Sequence, residues 1–220
     1  MKIICIIPAR KNSSRLKNKN TLNFCGKPLF EWTVQISKKI KLFNKIVVSS
    51  DDEKILKYKK KYPKIDFLKR PRIISRKSTH MSEVIKYNLQ YLKKKNQTFD
   101  AIAILQPTSP LRKINTINSA LKKFIKYSPN YLASVSEIKH TQYPHMLVNQ
   151  KNKEFVQNTI ILNKNLKKKF YYLDGGVIFI FKIKNSNFNF SKKGAFIKVN
   201  FPENIDINTY NDFLLAKKYF

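Results

Sequence analysis

Glycine is almost missing from this chain: there are four in 220 residues, and none between Arg10 and Asn20. A Walker phosphate loop or a Gly-x-Gly-x-x-Gly fingerprint is therefore excluded there, since both bring backbone up to phosphate through glycine. Cysteine is scarcer still. Cys5 lies inside an apolar run and Cys25 beside Gly26-Lys27-Pro28, and two thiols so placed supply neither a metal site nor a disulfide framework. Inert thiols in a reducing cytoplasm are the expectation. His80, His140 and His145 lack zinc-type spacing and a nucleophile partner, so no catalytic role falls to them. The apolar start, Met1 to Pro8, is far shorter than a membrane span and runs into Arg10 and Lys11 without a small-residue cleavage site. It reads as a buried strand, and no membrane partner is expected.

Acidic residues are the other shortage, 13 against 45 lysines and arginines, for a formal charge of +32. Such a charge attracts polyanions nonspecifically. The lysines, however, are spread through every segment beside Asn and Ile, and no DNA- or RNA-binding motif accompanies them. A composition-wide bias accounts for the charge, and no specific nucleic-acid partner is expected. The rival reading, a basic polyanion-binding protein built on an inert scaffold, predicts steeply salt-dependent polynucleotide binding.

The length suits one domain. Apolar runs alternate with amphipathic stretches: strands at Ile3–Ile7, Ile46–Val48, Asp66–Leu68, Ala101–Leu105 and Tyr131–Val135, and helices at Pro28–Lys39, Asp52–Lys61, Ser82–Lys95 and Ile114–Lys126. This alternation predicts an α/β fold of three layers, a mostly parallel Rossmann-like sheet with helices on both faces. The pattern breaks at Tyr143-Pro144-His145, a hairpin-like Met146–Asn163 and the basic run Lys164–Lys169; residues 143–169 are expected to form a dimerisation appendage or a lid. Strands at Gly176–Phe181 and Phe196–Val199 and a helix at Thr209–Lys218 follow.

Three loops at strand ends carry unusual residues. In open α/β sheets such ends converge on one ligand cleft. The first loop, after Ile7, holds Arg10 and Lys19 to neutralise an anion and Asn12 and Ser13 to hydrogen-bond it, if it is more than a solvated basic loop. In the second, Pro107 and Pro110 enclose Thr108 and Ser109, with Gln106 before and Arg112 after. That rigid turn either presents hydroxyls to a polyhydroxylated ligand or caps the next helix. The third carries Asp206 in Ile205-Asp206-Ile207, a carboxylate able to hold Mg²⁺ against phosphates, or else a helix cap or a lysine partner.

In order along nearly the whole chain, Pro8-Ala9-Arg10 through Lys19-Asn20, Gly26-Lys27-Pro28-Leu29, Ile46 to Asp51, Arg70-Pro71, Leu105 to Arg112, Asp174-Gly175 and Ile205 to Thr209 resemble the CMP-sialic acid synthetases. These acylneuraminate cytidylyltransferases have relatives that activate legionaminic or pseudaminic acid. The Gln106 to Arg112 string is the most specific anchor. The resemblance implies a nucleotidyltransferase fold and CMP transfer from CTP to the anomeric hydroxyl of an acidic nine-carbon sugar, with release of pyrophosphate by a homodimer. It places Arg10, Asn12, Ser13, Lys19 and Asn20 on ribose and phosphates, Arg70 and Ser82 near the cytosine, and Gln106, Thr108 and Ser109 on the sugar. Lys19, Arg10 and Asp206 become the catalytic set, with Mg²⁺ on Asp206 and Asn208. An enzyme for another acidic sugar such as Kdo is the alternative.

The chain departs from the family at three places. Lys11-Asn12-Ser13-Ser14-Arg15 stands where a Gly-Gly-Ser-Lys-Gly style loop is usual, leaving Arg15 as the candidate to replace a lysine. Asn208 stands where a second metal carboxylate is usual, with Asp174 as a possible helper, and so predicts weaker Mg²⁺ binding. The Pro144-His145-Met146 stretch lacks the lysine that some sialic-acid enzymes carry there.

Overall fold

The computed structural model describes residues 1–76, 78–138, 148–151, 154–157, 171–173, 176–183 and 194–220. In chain order the elements are β1 (Ile3–Pro8), β2 (Asn23–Phe24), β3 (Lys27–Pro28), α1 (Leu29–Lys38), β4 (Lys45–Ser50), α2 (Glu53–Leu56), β5 (Asp66–Lys69), α3 (Met81–Lys93) and β6 (Ala101–Ile104). There follow α4 (Ile114–Tyr127), β7 (Tyr131–Glu137), β8 (Val148–Lys151), β9 (Glu154–Gln157), β10 (Tyr171–Leu173), β11 (Phe179–Lys182), β12 (Gly194–Lys198) and α5 (Tyr210–Lys218). The main sheet runs β10-β7-β11-β6-β1-β4-β5, with β12 paired to β7. Pairings β1–β4, β1–β6, β4–β5 and β7–β12 are parallel, whereas β11 runs antiparallel to β6 and β7.

Strand β1 is apolar at nearly every position because it is covered on both faces. Ile3, Cys5 and Ile7 join one core with Phe30 and Val34 of α1, Ile55 of α2 and Phe124 of α4. Ile4 and Ile6 face the opposite core, with Ile85 and Leu92 of α3. The three-layer expectation follows directly from this alternation. A third cluster packs α5 through Phe213 and Ala216 onto Phe24, Leu29, Ile205 and Ile207, holding the end of the chain against its beginning. Burial raises the Cys5 thiol far above its ordinary value, so it is inert.

The sequence expectations differ from the structure in a few places. The helix expected over Asp52–Lys61 is only one α-turn, capped by the Asp52 carboxylate accepting from Lys54 N–H at 2.9 Å, and continues as a 3-10 turn at Lys57–Lys60. Pro63 disfavours helix in the residue before it, and Tyr62 turns inward to donate to the buried Glu31 carboxylate. The short hairpin β2–β3 is new; Cys25 and Gly26 both take positive φ (48° and 87°), the combination a type I′ turn requires. Strand β10 was also not anticipated. Within the expected appendage, β8 and β9 form an antiparallel hairpin; the rest of that expectation, with His140, His145 and Asp174, lies outside the described residues. Among the described residues no helix is long and apolar enough to cross a membrane.

Candidate active site

The first loop leaves the carboxyl end of β1 and is fastened at both ends. Ala9 N–H donates to Ser49 O at 2.9 Å, Ser50 Oγ donates to Ala9 O at 2.5 Å, and Lys11 N–H donates to Asp51 Oδ1 at 2.7 Å. At the far end Asn20, nearly buried, donates Nδ2 to Arg10 O at 2.8 Å. Arg10, Ser13, Ser14, Arg15, Lys19 and Asn20 thereby line one side of a cleft of about 300 Å³. Asn12 is exposed and does not line it.

The second loop forms the facing wall through Gln106, Pro107 and Thr108. Arg112 ties this turn together from behind: Nε donates to Ser109 O at 2.8 Å, and Nη2 donates to Gln106 O and, at 3.2 Å, to Gly176 O. Neither hydroxyl caps α4, whose N-cap is Lys113, with Lys113 N–H and Thr116 Oγ1 both on Glu203. Instead Thr108 Oγ1 and Ser109 Oγ are buried without a hydrogen-bond partner among the described residues. A buried polar group so left costs about 1–3 kcal/mol. Thr108 borders the cleft, whereas Ser109 sits behind it.

The third loop is joined to the second by Ile207 N–H donating to Thr108 O at 2.8 Å, and to the first by side chains. Lys19 Nζ donates to Ile207 O at 2.6 Å and to Asn208 Oδ1 at 3.3 Å, and Arg15 Nη2 donates to the same Oδ1 at 3.0 Å. Asn208 Nδ2 donates to Asp206 Oδ2 at 2.5 Å, while Asp206 Oδ1 is buried without a hydrogen-bond partner among the described residues. Burial lowers the pKa of Lys19, with Arg15 and Arg10 adding to the shift and the Asp206 carboxylate opposing it. Asp206 is not a helix cap; Thr209 and Asp212 supply that as a reciprocal capping box.

As a metal site the arrangement is partial. Among the described residues no three His, Cys, Asp or Glu side chains cluster, and the Asn208 oxygen, expected as a ligand, is already engaged by two cations. Asp206 itself does not line the cleft; its buried Oδ1, without a hydrogen-bond partner among the described residues, is the carboxylate oxygen left for Mg²⁺, which commonly takes one or two carboxylates together with phosphates and water.

At the other end of the cleft Arg70 is almost wholly buried, donating Nε to Ser49 Oγ at 3.0 Å and Nη2 to Ser49 O at 2.9 Å. Burial pulls its pKa down to about 10, against the attraction of Asp51. Met81 and Val84 of α3 border the cleft here, and Ser82 between them does not; on a helix, residues three apart share a face that the intervening position leaves. Ile74, Arg76 and Thr79 also line this end and were missed from sequence. The 3-10 turn at Arg72–Ile74 carries them round, and no periodic signal marks it. Arg10, Arg15, Lys19, Arg70 and Arg76 make five cations among the described lining residues, which include no carboxylate; Asp51 and Asp206 act on Arg70 and Lys19 from just outside the lining.

A cleft of this kind, at the carboxyl ends of β1, β4, β5 and β6, is the ligand position of a nucleotide-binding α/β sheet. Solved structures share the fold. CMP:2-keto-3-deoxy-manno-octonic acid synthetase complexed with CTP matches with a TM-score of 0.72 at 15% identity, covering 100% of this chain and 98% of that one. A 4-diphosphocytidyl-2C-methyl-D-erythritol synthase matches with a TM-score of 0.73 at 10% identity, over 99% and 97%. The fold class is thus that of the nucleotidyltransferases. The cytidylyltransferase family profile matches residues 4–213, and the chain belongs to that family. Among its relatives, pseudaminic acid cytidylyltransferase of Campylobacter jejuni is 31% identical over 157 residues, 71% of this chain and 67% of that protein. CMP-N,N'-diacetyllegionaminic acid synthase of Legionella pneumophila is 30% identical over 230 aligned positions, 99% of this chain and 96% of that one. N-acylneuraminate cytidylyltransferase of Escherichia coli is 36% identical over 56% of this chain and 28% of its own length.

Proposed function

We propose that this cytidylyltransferase transfers CMP from CTP to the anomeric hydroxyl of a nonulosonic acid of the sialic, legionaminic or pseudaminic type, releasing pyrophosphate. The observation that carries the reading is the pairing, across one cleft, of a cationic loop (Arg10, Arg15, Lys19) with a hydroxyl-bearing turn (Gln106, Thr108). The first wall suits a triphosphate and the second an acidic polyol.

In this reading the sugar hydroxyl attacks the α-phosphate directly. Phosphoryl transfer depends on positioning and on charge stabilisation at the phosphoryl oxygens and the leaving group. Arg10 and Lys19 supply that charge, with Lys19 fixed by Ile207 O and Asn208, while Ser13 and Asn20 hydrogen-bond ribose or phosphate. Arg70 sits at the base end. Gln106 and Thr108 orient the sugar, and Ser109 supports them from behind. Mg²⁺, when bound, supplies further neutralisation of phosphate charge, held by Asp206. A homodimer joined through residues 143–169 completes the proposal, and the cytoplasm is its expected compartment.

The test is pyrophosphate release from CTP with N-acetylneuraminic, legionaminic and pseudaminic acids and Kdo, for the wild type and Lys19→Met. Release with one nine-carbon sugar, lost in the variant, is expected. Release with Kdo alone would move the substrate to eight carbons, and no release with any of the four would overturn the reading. Sedimentation velocity reads the dimer, and a monomer at micromolar concentration would refute it.

A further inference from the structure

The third loop meets the first through a neutral side chain. Asn208 Oδ1 accepts from both Arg15 Nη2 (3.0 Å) and Lys19 Nζ (3.3 Å), and its Nδ2 is turned to Asp206. A carboxylate at position 208 would pair with both cations and cancel much of their charge. An amide holds them in place and leaves that charge available to a ligand. Resting on the CTP-dependent reading above, we infer that Arg15 is a triphosphate-binding residue positioned by Asn208, and that Arg15, Lys19 and Arg10 bind CTP without a divalent cation. Mg²⁺ then serves the transfer step and not nucleotide affinity.

Three features converge on this inference. The cleft holds five cations and no carboxylate among its described lining residues, so an anion entering it needs no accompanying cation to offset an acidic site. Among the described residues the carboxylates just outside the cleft are already engaged: Asp51 accepts from Lys11 N–H, Asp212 caps α5, and Asp206 gives one oxygen to Asn208, leaving a single Asp206 oxygen toward the six ligands that Mg²⁺ takes. Among the described residues Arg15 is held through one nitrogen, Nη2 on Asn208 Oδ1, and its planar five-donor head can bridge to phosphate oxygens with the rest. The loop has no glycine to let its backbone approach a phosphate closely, and Arg15 offers long side-chain donors there instead.

The experiment is equilibrium titration of CTP into the folded protein at about 0.15 M salt, where long-range attraction is screened, in Mg²⁺ and in chelator. For the wild type the Kd should change by less than about threefold between the two conditions, while Arg15→Ala should weaken binding in chelator about tenfold, the scale of one charge-assisted hydrogen bond. Asn208→Asp gives the opposite signature: weak binding in chelator, restored by Mg²⁺. Misfolding cannot produce that gain of metal dependence. The inference is overturned if wild-type binding weakens threefold or more on chelation, if Arg15→Ala binds as the wild type does in chelator, or if Asn208→Asp keeps the wild-type ratio. Binding that appears only with Mg²⁺ would leave the cytidylyltransferase reading intact; binding in neither condition would remove both.

Discussion

Replacing Arg112 with alanine tests whether the Gln106 to Arg112 turn is held from within. The side chain is 3% exposed and its guanidinium donates to three carbonyls, those of Gln106, Ser109 and Gly176. Hydrogen bonds from a charged donor contribute about 1.5–3 kcal/mol each, and they are not additive when shared by one planar group. Truncation also leaves the acceptors buried and unpaired, so a loss of about 3–5 kcal/mol is expected. With a urea m-value of about 2–3 kcal/mol per M for a domain of this size, the midpoint should fall by about 1–2.5 M with m unchanged. Arg112→Lys keeps the charge but replaces a fork with a point donor, and should fall between the two. The assay is equilibrium urea unfolding followed by the fluorescence of Trp32. An Arg112→Ala midpoint within about 0.3 M of wild type would show that the turn is rigid through its prolines alone, and the argument would fail.

The lowered pKa of Lys19 sets an alkaline limit on activity: kcat/KM should decline below the pH at which an ordinary lysine titrates, and Lys19→Arg should extend the plateau upward, whereas an identical profile would refute the role. The same shift makes the charged form of Lys19 a cost to the fold, so its contribution to stability improves as pH rises through the lowered pKa towards the ordinary value of 10.5. Thr108→Val removes a buried hydroxyl that has no hydrogen-bond partner among the described residues, so the unfolding midpoint should hold or rise while KM for the sugar increases several-fold; a fall in stability with unchanged KM would mean the hydroxyl is structural. Asp212→Ala should lower stability by about 1 kcal/mol by removing the cap of α5. Burial raises the Asp212 pKa, but N–H donors from Thr209 and Asn208 outweigh it and hold it below the ordinary carboxylate value, so this contribution persists above that range and is lost as acid drives pH down through the lowered pKa.

The sheet was legible because β1 and β6 are apolar on both faces and the amphipathic stretches between strands keep a helical period; the strand at Ile3–Pro8 and the helix at Ile114–Tyr127 follow from pattern alone. The loops at strand ends were legible as chemistry, since scarce residues such as Asp206 stand out in a lysine-rich chain. Side-chain direction was not. Ser82 shares α3 with Met81 and Val84, and only the rotation of the helix decides which of them border the cleft. Arg76 looked like one more basic residue until a 3-10 turn brought it round. Arg112 stands in sequence only as the residue that closes the Gln106 to Arg112 string; it faces inward, donating to three carbonyls. Asn208 looked like a weakened metal ligand; its contacts with Arg15 and Lys19 span more than 180 positions of sequence, and no local pattern reports them.

The Lys19 to Ile207 hydrogen bond joins residues 188 positions apart, and its effect reaches back to how the protein is made. On the ribosome the loop after β1 emerges 188 residues before its anchor at Ile207, so a growing chain can pair β1 with β4 and β6 long before the walls of the cleft are joined. A polypeptide interrupted ahead of Ile205 would keep much of its sheet but would lack the partner that holds Lys19 and the backbone bond that steadies Thr108. On the proposed function, CTP binding would thus report that synthesis has passed Asn208, a step that circular dichroism of the same fragments would fail to register.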